Sequence, residues 1–190
     1  ERDGYEADKI RLFVMNLKTG EKKEYTKDFD QNVGGLSWAD DNTIYFISDY
    51  HATDEIYKLT LNDGKITKIT EGVHNYQSVT PVNDYLIATK VSMSKPAEIY
   101  KVDLTNGKDT ELSFVNKGIL DQLTMGKVES RWIKTTDNKD MLTWIIYPPH
   151  FDPNKKYPAI LYCEGGPQST VSQFWSYRWN FQMMAANGYI

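Results

Sequence analysis

The chain has 190 residues, 40% of them apolar and 25% charged, with 22 Lys plus Arg against 26 Asp plus Glu for a net charge of −4. This is an ordinary globular composition, neither collagen-like nor disordered, and its acidic balance argues against a nucleic-acid surface, which needs clustered Lys and Arg. No apolar run approaches the ~18 residues of a membrane helix, and the single cysteine, Cys163, excludes an internal disulfide and a cysteine-based zinc cluster.

The first element is an alternating strand, Phe13-Val14-Met15-Asn16-Leu17, closed by Thr19-Gly20. The same pattern returns as Tyr57-Lys58-Leu59-Thr60-Leu61 before Asp63-Gly64, and as Tyr100-Lys101-Val102-Asp103-Leu104 before Asn106-Gly107. The turn glycines are 44 and 43 residues apart. Period-two alternation is what a half-buried antiparallel strand requires, and it puts Phe13/Met15/Leu17, Tyr57/Leu59/Leu61 and Tyr100/Val102/Leu104 on one face. The glycines supply the positive backbone angle of a tight hairpin turn.

A weaker copy lies between these strands. Gly35-Leu36-Ser37-Trp38 leads through the turn Asp40-Asp41-Asn42 into Thr43 to Ser48; its counterpart runs from Gln77 to Thr80 and then Tyr85 to Thr89. Four short strands in a period of 43–44 residues are the signature of a β-propeller blade. The sequence thus predicts about two and a half blades over residues 1–125. A propeller closes on itself and this set cannot, so the chain is expected to be part of something larger, with open sheet edges and apolar faces.

The period ends after Leu112, and Phe114 to Thr124 reads as a connector. From Gly126 a different pattern begins. Val128–Lys134 and Met141–Tyr147 are predicted strands around an Asp137-Asn138-Lys139 turn, stopped by Pro148-Pro149. Ala159-Ile160-Leu161-Tyr162-Cys163 is continuously apolar, as a strand covered on both faces of an α/β sheet would be. Cys163 is therefore expected to be buried, which suits a reducing cytosol, although a periplasm stays open. After Glu164-Gly165-Gly166-Pro167 comes a predicted helix, with Trp175, Trp179 and Met183 at i, i+4 and i+8, Ser169 or Ser172 as its cap and Asn187-Gly188 as its stop.

A strand, a Gly-Gly-Pro loop and a helix are the arrangement with which an α/β-hydrolase lends a backbone N–H to its oxyanion hole. Negative charge develops on the former carbonyl oxygen during acyl transfer, and one donor aimed at it lowers the barrier by about 2.7–4 kcal/mol. Glycine lets the backbone approach without a Cβ in the way. The histidines are not recruited: His51 and His74 fall in blade connections and His150 in a proline-rich turn, all three expected at the surface. Asp40 and Asp41 read as turn residues, since nothing fixes a second carboxylate opposite them.

The order of blades, Tyr147-Pro148-Pro149, Phe151-Asp152-Pro153, Lys156-Tyr157-Pro158 and Gly165-Gly166-Pro167 resembles the prolyl oligopeptidase family of serine peptidases, most of all its dipeptidyl-peptidase and acylaminoacyl-peptidase branches. The resemblance implies a mostly β architecture: a partial propeller (1–125) followed by the first strands and helix of an α/β-hydrolase domain (126–190). It implies a Ser-Asp-His triad, short peptide substrates and no metal or organic cofactor; charge and hydropathy argue against nucleic-acid and membrane partners, and a soluble parent enzyme that can self-associate is expected. No Gly-x-Ser-x-Gly occurs here, so the triad is expected outside this chain and the segment alone is expected to be inactive. Gly166 is the expected N–H donor, with Gly165 the alternative. Many relatives have His or Tyr before Gly-Gly-Pro; this chain has Glu164. An ionised carboxylate cannot donate, so Glu164 is expected to turn away and pair with Arg178, or, in a second reading, to bind a substrate's free amine. Phe174, Trp175 and Tyr177 are candidate pocket-lining residues, although at helical spacing Trp175 and Trp179 read better as core. A non-catalytic propeller scaffold with a degenerate hydrolase domain, and an esterase on the same fold, remain the alternatives.

Overall fold

The structure, a computed structural model, describes residues 2–5, 7–163, 165 and 170–190. It begins with an antiparallel pair, β1 (Phe13–Met15) and β2 (Lys22–Glu24). An antiparallel meander follows: β3 (Gly34–Asp40), β4 (Thr43–Tyr50), β5 (Thr53–Thr60) and β6 (Lys65–Lys68). A second meander repeats it as β7 (Asn75–Val82), β8 (Tyr85–Ser92), β9 (Lys95–Asp103) and β10 (Asp109–Glu111). One parallel bridge, Asp54 opposite Asn75, joins the two four-stranded units. These are blades, and β1–β2 is the remaining half.

The turn glycines behave as their spacing predicts: Gly20, Gly64 and Gly107 have φ of +73°, +69° and +70°. At Gly107 there is a further demand, because a Cβ would stand 2.0 Å from the Ile69 carbonyl oxygen of the preceding blade.

Alternation along the strands gives each blade two apolar faces, and adjoining faces build the core. Tyr45 and Ile56 of the first blade pack with Tyr76, Val79, Leu86, Ala88 and Val102 of the second. On the first blade's other side Ile44, Phe46, Tyr57 and Leu59 meet Leu12 and Val33. Phe46 is wholly buried and stacks on Tyr57 at 5.4 Å, with Phe29 edge-on to both. Each fully buried side chain of this kind contributes about 1.5–3 kcal/mol. The first repeat copy departs from expectation. Phe13, Met15 and Leu17 are exposed, Leu17 at 88%, and it is Leu12 that is buried. The reason is geometric: the equivalent face at Tyr57 and Leu59 meets the preceding hairpin, and no preceding blade lies over Phe13 among the described residues.

A second repeat, missed in the sequence, closes each blade. The hydroxyls of Thr26, Thr70 and Ser113 accept from the main-chain N–H of Leu12, Ile56 and Ile99 at 2.8, 2.9 and 2.8 Å. These hydroxyl residues are again 44 and 43 positions apart. In the last two copies a buried glutamate completes the latch. Glu55 accepts from the Thr70 hydroxyl and the Gly72 N–H, and Glu98 accepts from the Ser113 hydroxyl and the Asn116 N–H. Burial opposes ionisation of Glu98, but the hydrogen bonds from Ser113 and Asn116 win and hold its carboxyl below the ordinary glutamate range.

After a single helical turn, α1 (Lys117–Leu120), the chain forms the predicted hairpin, β11 (Val128–Lys134) with β12 (Asp140–Ile146), turning through Asn138 at φ +62°. Tyr147, Phe151 and Tyr157 then pack ring against ring in series across the proline-rich stretch, tilted by 46° and 36°.

Two expectations fail beyond it. Residues 159–163 are not a strand: among the described residues the backbone bonds at this run are from the Ile160 N–H to the Ile190 carbonyl and from the Ile190 N–H to the carbonyl of the preceding Pro158, and Leu161 is 83% exposed. With that one partner no ladder builds, and Cys163 is exposed rather than buried. The helix is only α2 (Phe181–Ala186), capped by the Asn180 side chain on Met183 N–H and stopped at Gly188, φ +86°. The cap is thus neither Ser169, which lies outside the described residues, nor Ser172. Earlier residues fail to join because the Ser176 hydroxyl accepts from Arg178 and Trp179 N–H, a local turn that competes with the helix. Trp179 is consequently half exposed instead of core. Among the described residues no helix is long and apolar enough to cross a membrane.

Candidate active-site loop and its seat on the blades

Of the four residues of the glycine loop, Gly165 is described, while Glu164, Gly166 and Pro167 lie outside the described residues, so the expected Glu164–Arg178 pair has no counterpart to examine. Arg178 itself sits 5.2 Å from the Trp179 ring centroid. At Gly165 the backbone is not in the left-handed region, and an added Cβ would meet no atom of the described residues within 4 Å.

Beside the loop opens a cavity of about 910 Å³, apolar in lining and bounded by Trp132, Leu142, Trp144, Leu161, Phe181 and Ile190. Phe181 anchors this side: it is buried, with Tyr162 and Phe174 edge-on at 5.1 and 5.3 Å. Of the aromatic candidates, Phe174 and Trp175 are partly buried and Tyr177 is 80% exposed, touching Trp175 at 5.9 Å. None of these three lines that cavity.

One end of the blades carries this region. The β4–β5 turn, His51-Ala52, has both residues at positive φ, 49° and 58°, an uncommon conformation for non-glycine residues. The His51 ring stacks on Tyr50 and meets Trp132 of β11 edge-on at 5.3 Å. The β8–β9 turn offers Ser94, whose hydroxyl accepts from Gln182 Nε2 at 2.8 Å. Gln182, buried on α2, also clasps Gly126: its Oε1 accepts from the Gly126 N–H at 2.7 Å and its Nε2 donates to the Gly126 carbonyl at 3.0 Å. A Cβ on Gly126 would lie 1.8 Å from the Tyr147 carbonyl oxygen, so this crossing requires glycine. The Met93 N–H donates to Gln173 Oε1 at 3.3 Å. Asn75, at the first position of β7, binds Ser172 and Gln173. Sequence reasoning missed Asn75, Gln173 and Gln182; their partners are 56 to 98 positions away, and no local pattern encodes them.

The histidines are placed unevenly. His51 and His150 are exposed, as expected, but His74 is mostly buried, its Nε2 3.3 Å from Glu55 and its ring edge-on to Tyr76. It packs there because the seam between blades draws the ring over the buried glutamate. Nearby a polar cleft of about 580 Å³ is occupied by its own pairs: Lys90 and the Tyr76 hydroxyl both bind Asp109, and Lys68 pairs with Glu71. Burial and then Asp109 push the Tyr76 phenol far above its usual range. At the seam itself Asp54 is raised to about 7, first by burial and then by its hydrogen bond to Asp49.

No family model matches the chain. In fold it is similar to Pyrococcus horikoshii acylaminoacyl peptidase, with a TM-score of 0.76 at 23% identity, over 94% of this chain and 27% of that one. It is 26% identical, with a TM-score of 0.74, to an acylaminoacyl peptidase solved in complex with Z-Gly-Gly-Phe-chloromethyl ketone, over 90% of this chain and 26% of that one. These neighbours share the bladed, mostly β fold, and the motifs of the chain resemble those of the prolyl oligopeptidase family. Over its full length it is 50% identical to dipeptidyl-peptidase 5 of Porphyromonas gingivalis. The chain spans 28% of that relative's length.

Proposed function

We propose that the chain is the middle portion of a serine exopeptidase that releases dipeptides from short peptides, with residues 1–125 ending its propeller and 126–190 opening its α/β-hydrolase domain. One observation carries the reading: the 50% identity to a dipeptidyl-peptidase spans the whole chain, blades and glycine loop alike. In this reading the nucleophile and its partners belong to sequence beyond these 190 residues. The segment contributes a main-chain amide, Gly166 first and Gly165 second, to the oxygen that becomes anionic when the acyl-enzyme forms and when it is hydrolysed. Glu164 either pairs with Arg178 or receives the substrate's amine; as an oxyanion donor it is excluded by its charge. The blades restrict entry to short peptides. Cytosol and periplasm both suit the reading, as does self-association of the full-length enzyme.

The test is a panel of dipeptidyl, acyl-aminoacyl and simple ester chromogenic substrates on the full-length protein. Dipeptide release is the expected result. Cleavage of esters alone would make it an esterase, and a folded protein inert toward all three would make it a binding scaffold. Glu164→Gln sharpens the second role: unchanged discrimination between free and blocked N-termini removes the amine-binding reading.

A further inference from the structure

We propose that Asn75 is a positioning residue that ties the seam between the two blades to the exit of the glycine loop, so that the propeller sets where the loop's amides stand. The inference rests on the reading above and adds a residue to it. Asn75 is 4% exposed and uses both ends of its side-chain amide. Its Oδ1 accepts from the N–H of Asp54, at the single bridge between blades, and from the N–H of Gln173, both at 3.1 Å. Its Nδ2 donates to the Ser172 hydroxyl at 2.7 Å. One side chain thus joins two blades and a segment 97 positions later, seven residues beyond Gly165.

The repeat shows that the second task is an addition. Asn32 stands 43 positions before Asn75, and its Oδ1 accepts from the N–H of Ile10, which is 44 positions before Asp54. The bond that closes the seam is therefore common to both copies, whereas the bonds to Ser172 and Gln173 belong to Asn75. Gln173 reinforces the attachment: it is 1% exposed and its Oε1 accepts from Met93 in the β8–β9 turn. A donor aimed at a reacting oxygen loses its value with small displacements; about 1 Å can cost 10²-fold. Two bonds from a buried amide at the loop's exit are a direct means of preventing such drift.

The experiment compares full-length wild type, Asn75→Ala, Ser172→Ala and the double variant, by steady-state kinetics on a dipeptidyl substrate and by hydrogen exchange of the peptide covering residues 170–175. Expected are a kcat about 10-fold lower for Asn75→Ala and about 3-fold lower for Ser172→Ala, KM within about twofold, and a double variant no worse than Asn75→Ala. Exchange over 170–175 should accelerate in both single variants. A raised KM at unchanged kcat, or unchanged exchange, overturns the proposal. Ser172→Ala leaves the Asp54 bond and the blade core intact, so it decides alone if Asn75→Ala does not fold. If wild type cleaves none of the peptide substrates, the peptidase reading falls, and exchange alone decides the anchorage: acceleration supports it and no change refutes it.

Discussion

The stretch from Pro158 to Ile190 is richer in apolar residues than the blades, 17 of 33 against 48 of 125, yet the blades form every expected strand while the later stretch forms, among the described residues, only a six-residue helix and two backbone bonds to Ile190. The difference lies in where partners come from. A meander pairs each strand with the next across a short turn, so Tyr57 finds Phe46 at 11 and Val102 finds Leu86 at 16 positions along the chain. Among the described residues the run at 159–163 has for a backbone partner only Ile190, some thirty residues on, and hydrophobicity alone does not make a ladder.

That contrast can be broken by mutation. The largest effect belongs to Phe46→Ala, which empties the first blade's core and should cost about 3–5 kcal/mol in a urea melt; a value near that of a surface change would mean the blades are not the stable part. Gly107→Ala comes next, at about 3 kcal/mol, because it adds a collision with the Ile69 carbonyl to an unfavourable φ. Gly64→Ala has nearly the same φ and open space around it, and should cost about 1–2 kcal/mol. Equal losses at the two glycines would show that contact between blades adds nothing.

Asp54→Asn sharpens the comparison from the other side. The folded Asp54 carboxyl titrates at about 7, well above the ordinary aspartate value of about 3.9, so between these values the folded state holds a proton that the unfolded state has released. Stability therefore falls as pH rises through that window and stays lower above it. The asparagine variant should gain in melting temperature at pH 8 relative to wild type and gain little near pH 4. A gain independent of pH would remove Asp54 from the seam's electrostatics. The smallest effect is expected from Trp179→Ala, within about 0.5 kcal/mol for a half-exposed ring outside the helix.

The blades were legible because Gly20, Gly64 and Gly107 mark a period, and the β11–β12 hairpin because Asp137-Asn138-Lys139 sits between two alternating runs. The latch at Thr26, Thr70 and Ser113 obeys the same period and was there to be read; single hydroxyl residues at strand ends do not stand out until their bonds are seen. Trp175, Trp179 and Met183 mimicked a helical face, but Ser176 turned the chain locally and Asn180 started the helix late. Of the candidate site, the glycine pair was visible as a motif. Its seat was not, because Asn75, Gln173 and Gln182 act on partners more than fifty positions away.

The central claim is that a main-chain amide of the glycine pair faces the reacting acyl oxygen. Gly166→Pro in the full-length protein removes the preferred donor while leaving the side-chain chemistry untouched. If the claim holds, kcat for dipeptide release falls by about 10²–10³ with KM little changed. A folded variant that turns over at the wild-type rate would contradict it.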